Sequence, residues 1–105
     1  MFVYTTTITR PDTSVAFYYD TPEGSNPSLY ETLTNNLISQ GYLISVQRTD
    51  SPDNLVLTRI VTCPDQNGFD ECVDQVLINF PSTYIDRHSY NDAHNHVMVQ
   101  HSEST

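Results

Sequence analysis

Residues 55–62, LVLTRIVT, read as a strand that is apolar or β-branched on both faces. Leu55, Leu57 and Val61 share one parity, and Val56, Thr58 and Ile60 share the other. A strand with one wet side alternates apolar with polar residues, so this pattern demands cover on both sides. With helices packed on one face of the sheet, something else is expected to cover the second. The segment before it, 42–49, sets Tyr42, Ile44 and Val46 against Leu43, Ser45 and Gln47. Asp50-Ser-Pro-Asp-Asn54 between the two is a turn by composition, so residues 42–62 are predicted to form a hairpin.

Two amphipathic helices flank that hairpin. Phe69, Cys72, Val73, Val76, Leu77 and Phe80 fall at i, i+3, i+4, i+7, i+8 and i+11, which predicts a helix over 69–79 that Pro81 stops. Asp70 and Glu71 lie off that stripe, near the positive end of its dipole. An earlier helix opens at Asn26-Pro27, with Asn as cap and Pro at the first helical position. Ser28 and Glu31 match a capping box one register later. Leu29, Leu33 and Leu37, with Tyr30 and Ile38, form its apolar stripe, and Gly41 closes it. Residues 2–9, FVYTTTIT, are a strand; 15–19, VAFYY, are a second short strand or an extended arm; 21–26 are a loop. Residues 83–90 and 95–101 are expected as a final strand, or two strands broken near Asn91-Asp92. The order is β(β)αββαβ. This predicts an α+β, ferredoxin-like sandwich: an antiparallel sheet with two helices on one face. At 105 residues there is room for one domain, 1–105, with 102–105 expected as a flexible tail.

Two helices cover one face only. A second copy of the chain is the simplest cover for the other, which predicts a homo-oligomer. Leu55, Val56, Leu57 and Ile60 are the expected interface, joined by Tyr84 and Tyr90 from the C-terminal segment.

The chain has no lysine, and four arginines face thirteen carboxylates, for a formal charge of −9. Such a surface repels phosphates and anionic headgroups, so direct nucleic-acid and membrane partners are not expected. The scattered acids suit solubility first, and a cationic partner or imitation of DNA second. The opening residues lack a signal-peptide pattern, and the longest apolar run, Val15 to Tyr19, is too short to span a bilayer. Cytosolic synthesis is the expectation.

All four histidines lie in 88–101: His88, His94, His96 and His101. On a strand, His94 and His96 would share a face about 7 Å apart, a spacing that can hold zinc, and Asp92 could add an oxygen. A third ligand at fixed spacing is missing, so the favoured expectation is no cofactor and a pH-sensitive packing or assembly element. Cys72 lies on the apolar stripe and is expected to pack in the core; a Cys63–Cys72 disulfide is conceivable but not demanded. Asp65 to Glu71 has part of a calcium loop, yet a turn and helix cap explain the same residues. Tyr18, Tyr19, Tyr84 and Tyr90 suit core or interface before a small-molecule pocket. No phosphate loop, nucleophile elbow or triad stands out, so a catalytic role is not expected.

Tyr4-Thr-Thr-Thr-Ile-Thr-Arg-Pro11, then Phe17-Tyr18-Tyr19 and the Thr-Pro-Glu-Gly loop, resemble the start of small proteins of marine tailed phages, including those that infect cyanobacteria. The resemblance covers about the first twenty-five residues. It implies a viral protein made in the host cytoplasm, a particle component or a host modulator, and it transfers no catalytic residues. The element order is also similar to the dimeric α/β-barrel proteins, among them antibiotic-biosynthesis-type monooxygenases and stress-responsive domains, which implies a cavity between helices and sheet. The leading expectation is a non-enzymatic structural or interaction protein, a phage particle component that assembles through its sheet with itself and with virion proteins. The alternatives are a small dimeric α/β-barrel enzyme or ligand-binding protein, and an acidic DNA-mimic-type host modulator. A deep helix–sheet pocket favours the binder.

Overall fold

The central strand pair is β1 (Phe2–Thr9) with β3 (Val56–Cys63), antiparallel from Phe2 opposite Cys63 to Thr9 opposite Val56. β2 (Ser45–Asp50) pairs with the outer side of β3, and β4 (Val97–Ser104) with the outer side of β1, giving the order β2-β3-β1-β4. All pairings are antiparallel. This computed structural model describes residues 1–22, 24 and 27–105, with backbone alone at 27–29. Helix α1 (Pro27–Ser39) links β1 to β2; α2 (Gln66–Asn79) and α3 (Thr83–Ala93) link β3 to β4. The chain has the ferredoxin-like α+β layout, extended by one helix.

Local chemistry sets the boundaries. Gly41 adopts φ +81°, the left-handed closure of α1 that a side chain would strain. The β2–β3 turn closes through Ser51 N–H on the Val56 carbonyl, with Asn54 left-handed at φ 60° and Asp53 accepting from Ser51 Oγ. α2 begins three residues before the apolar stripe, because Asp65 caps it by accepting the Gly68 N–H at 2.8 Å. A Cβ on Gly68 would collide with the Tyr42 carbonyl, so glycine lets α2 approach the α1–β2 connection. The expected Asn26 cap of α1 and the Ser28 and Leu29 side chains lie outside the described residues.

The C-terminal quarter departs from the sequence expectation. Residues 83–90 are helix, not strand, and Asn91-Asp92 lie within α3 rather than at a strand break. Neither strand parity of 83–90 is apolar, whereas Tyr84, Arg87 and Asn91, at helical spacing, are half-buried or buried while Ile85 is exposed. Helical period overrode the β preference of Tyr and Ile. Val15–Phe17 is irregular and Tyr18–Asp20 forms a single helical turn, so VAFYY is an arm and not a strand. β4 runs through Ser104, and the terminal Thr105 carbonyl accepts from the Met1 ammonium at 2.7 Å, so 102–104 are paired rather than a tail.

Register divides the sheet cleanly. Phe2, Tyr4, Thr6 and Ile8 face the helices with Cys63, Val61, Arg59 and Leu57; Val3, Thr5, Thr7 and Thr9 face away with Thr62, Ile60, Thr58 and Val56. Under the helices lie two apolar clusters. One joins Phe2, Leu37, Leu43, Val61, Cys63 and Cys72; the other joins Ile8, Phe17 and Leu57. Each fully buried side chain there contributes roughly 1.5–3 kcal/mol of transfer free energy.

Candidate functional site

A polar row crosses the covered face between those two clusters. Register aligns Gln100 on β4, Thr6 on β1, Arg59 on β3 and Arg48 on β2. All four line a cavity of about 710 Å³ between sheet and helices. α1 contributes Leu33 and Leu37, α2 contributes Phe69, Cys72, Val73 and Val76, and α3 contributes Tyr84 and Arg87. Tyr4 and Phe69 rings meet at 4.8 Å toward the larger apolar cluster. Tyr30 stacks on Phe80 at 4.1 Å and shares a 2.8 Å hydrogen bond with Thr83, which ties α1 to the start of α3.

Three of the four arginines line this cavity, and among its described residues there is no carboxylate. Their situations differ. Arg48 donates to both oxygens of Asp20, at 2.6 and 2.8 Å, and to both of Asp50, at 2.8 and 3.0 Å. The hydrogen bonds it donates to Asp20 and Asp50 hold its proton even more firmly than usual, and the same bonds from Arg48 lower the Asp50 carboxyl. Arg59 and Arg87 have no carboxylate within ion-pair distance among the described residues. The Arg59 guanidinium lies 5.2 Å from the Tyr19 ring centre, and Arg87 lies 5.2 Å from that of Tyr84. Arg87 donates to the Tyr19 hydroxyl at 2.7 Å, but its Nε is buried without a partner. Burial raises the Tyr84 and Tyr4 phenols above their ordinary value, against the pull of Arg87, so both remain neutral donors at neutral pH.

The expected sites land elsewhere. His94 caps the end of α3 and His96 precedes β4, so the pair does not share a strand face; their ring centres are 6.0 Å apart. His96 is buried against Phe17 and Tyr90, with Nδ1 unpartnered, and burial lowers its pKa. Asp92 pairs with His88 at 3.2 Å, not with His94 or His96. Among the described residues no group of three His, Cys, Asp or Glu side chains is placed to hold a metal. Cys63 and Cys72 are free and buried, and burial pushes the Cys63 thiol up to about 12, so neither is set up as a nucleophile at neutral pH.

Of the expected interface residues, Val56 and Ile60 lie on the open sheet face and Leu55 just before it. Leu57 has no exposed surface and packs beneath the helices, so it is corrected from interface to core. Tyr84 lines the cavity, and Tyr90 donates to the Ala16 carbonyl at 2.6 Å and packs on Tyr18, so α3 places both inside the chain's own fold. The open face is completed by Val97 and Val99, 61% and 62% exposed, with His101 and Glu103 beyond them. The cavity arginines were missed in the sequence. The signal was present: Arg59 shares the parity of Leu57 and Val61, so it had to point where they point.

No protein-family model matches the chain, and no curated protein matches it in sequence. Among the described residues no helix is long and apolar enough to cross a membrane. In structure the chain is similar to a dimeric ferredoxin-like protein from an uncultured marine organism, at 13% identity and a TM-score of 0.57, over 97% of this chain and 89% of that one. That likeness, together with the strand order and three helices on one face, makes this a ferredoxin-like fold.

Proposed function

We propose that the chain is a homodimeric binding protein that holds a small organic molecule between its sheet and helices. The cavity carries this reading. Its volume of about 710 Å³ falls within the roughly 300–1,000 Å³ of small-molecule sites, and apolar walls converge on a few polar groups. Tyrosines and arginines converge there. Burial raises both thiols, which favours binding over nucleophilic chemistry by either cysteine.

Dimerisation through the open face supports the same reading. That face presents Thr, Val and Ile on β1 and β3, Ser45, Gln47 and Thr49 on β2, and exposed Val97 and Val99 followed by His101 on β4, with Glu103 as its one carboxylate among the described residues. A second copy would cover it isologously, and the similar marine protein is described as dimeric. A DNA-mimic role would need a row of carboxylates that this face lacks. The particle-component reading shares the assembly through the sheet, but its viral part has no separate carrier among the described residues. Native mass spectrometry tests both halves: a dimer is expected, with a small organic mass retained per chain after a metabolite-extract soak. A strict monomer across concentrations overturns the assembly, and no retained mass overturns the binding.

A further inference from the structure

We infer that the cavity takes an amphipathic organic acid, its carboxylate held by Arg59 and Arg87 and its aromatic or alkyl body laid toward Leu33, Phe69 and Val73. This rests on the binding reading above and gives the ligand a chemical class.

Charge distribution is the first argument. A chain with thirteen carboxylates and four arginines gathers three of the arginines at one cavity whose described walls hold no acid. Arg48 and Arg59 are also direct cross-strand partners on the covered face. Like charges placed opposite each other oppose folding. Asp20 and Asp50 neutralise Arg48, yet no described carboxylate reaches Arg59. Local rules are broken in this way where a ligand completes the site.

Stoichiometry and geometry narrow the class. Among the described residues, three guanidiniums and two carboxylates leave one positive charge, which matches a monoanion. The buried Nε of Arg87 is a donor without an acceptor, on a planar fork suited to carboxylate. Tyr19 and Tyr84 rings flank the two guanidiniums and limit their contact with water. The Arg59 row adjoins the Tyr4–Val61–Val46 row, and Phe69 sits against Tyr4, so the cavity passes from cationic to apolar along the strands.

Isothermal titration calorimetry on the full chain tests this with matched probes: naphthoate against naphthalenemethanol, and decanoate against decanol. At least one acid is expected to bind about tenfold or more tightly than its alcohol, the scale of a charge-assisted hydrogen bond. Arg59→Gln and Arg87→Gln should each abolish that preference while alcohol binding persists. Arg59→Lys should restore part of it, and Arg10→Gln, away from the cavity, should leave it intact. Urea midpoints matching the parent confirm that each variant is folded. Acid and alcohol bound equally would leave a binding cavity but overturn the acid assignment. Failure of all four probes would overturn both, and preference retained in both glutamine variants would overturn the arginine assignment.

Discussion

The two faces of this sheet share one backbone and one register, yet they are built to opposite ends. The covered face alternates by row: Phe2 with Cys63, then Tyr4 with Val61, then the polar Thr6 with Arg59, then Ile8 with Leu57. Cation and apolar surface are thus stacked within a single cavity. Along its two central strands the open face has no such contrast, running Thr62–Val3, Ile60–Thr5, Thr58–Thr7 and Val56–Thr9, and its polar side chains Gln47, His101 and Glu103 lie on the outer strands. On the function proposed above, shape and charge vary on the face that orients a ligand, and the β-branched centre of the open face is the surface that meets another sheet.

The comparison breaks most readily at Leu57 and Val99. Leu57 is completely buried, so Leu57→Ala should cost about 2–5 kcal/mol in urea unfolding. Val99→Ala, measured at low protein concentration, should cost below about 1 kcal/mol. Equal losses would mean that the open face is already packed within one chain. A charge separates assembly from folding. Val99→Lys places two ammonium groups at a twofold interface and should weaken the dimer at least about tenfold. Light scattering should then read half the parent mass at unchanged circular dichroism, whereas an unaltered mass would move the interface elsewhere.

Legibility in the sequence follows the same division. Where one physical pattern dominated, it was readable: the stripe from Phe69 to Phe80 gave α2, and Gly41 marked the end of α1. The hairpin turn at 50–54 and the two-sided strand 55–62 also stand as expected, within a residue or two. Where two preferences competed, the reading failed. Tyr84, Ile85 and Tyr90 favour strand by residue type, but α3 buries Tyr84, Arg87 and Asn91 on a helical period that aromatic content concealed. The cavity was hidden for a different reason. Arg48, Arg59 and Arg87 come from three elements, and only register and helix docking bring them together.

Arg59→Gln sharpens the contrast at a smaller scale. Removing the like charge opposite Arg48 should stabilise the unliganded chain by about 0.2–1 kcal/mol, the range of cross-strand pairs. If the cavity takes an organic acid as inferred above, the same change should weaken acid binding, so stability and affinity should move in opposite directions. A purely structural arginine would lose stability when removed, and urea titration of ligand-free protein distinguishes the two.

The smallest effect is in the pH dependence, and it sets His96 on the covered side against His101 on the open face. Burial lowers the pKa of His96, with the positive charges of His94 and Arg10 adding to it and Asp12 opposing; Phe17 and Tyr90 rings complete its surroundings. A histidine with a depressed folded value binds fewer protons folded than unfolded. Its contribution is therefore fully present above the ordinary value of 6.5 and is lost as pH falls below that, through the folded value. In the Val99→Lys monomer, His96→Gln should flatten the decline in urea stability below that pH, and His101→Gln, which removes an exposed imidazole from the open face, is the control for net charge. Equal flattening by both would show that protonation acts through net charge, which at −9 falls toward neutrality on acidification, rather than through the buried ring.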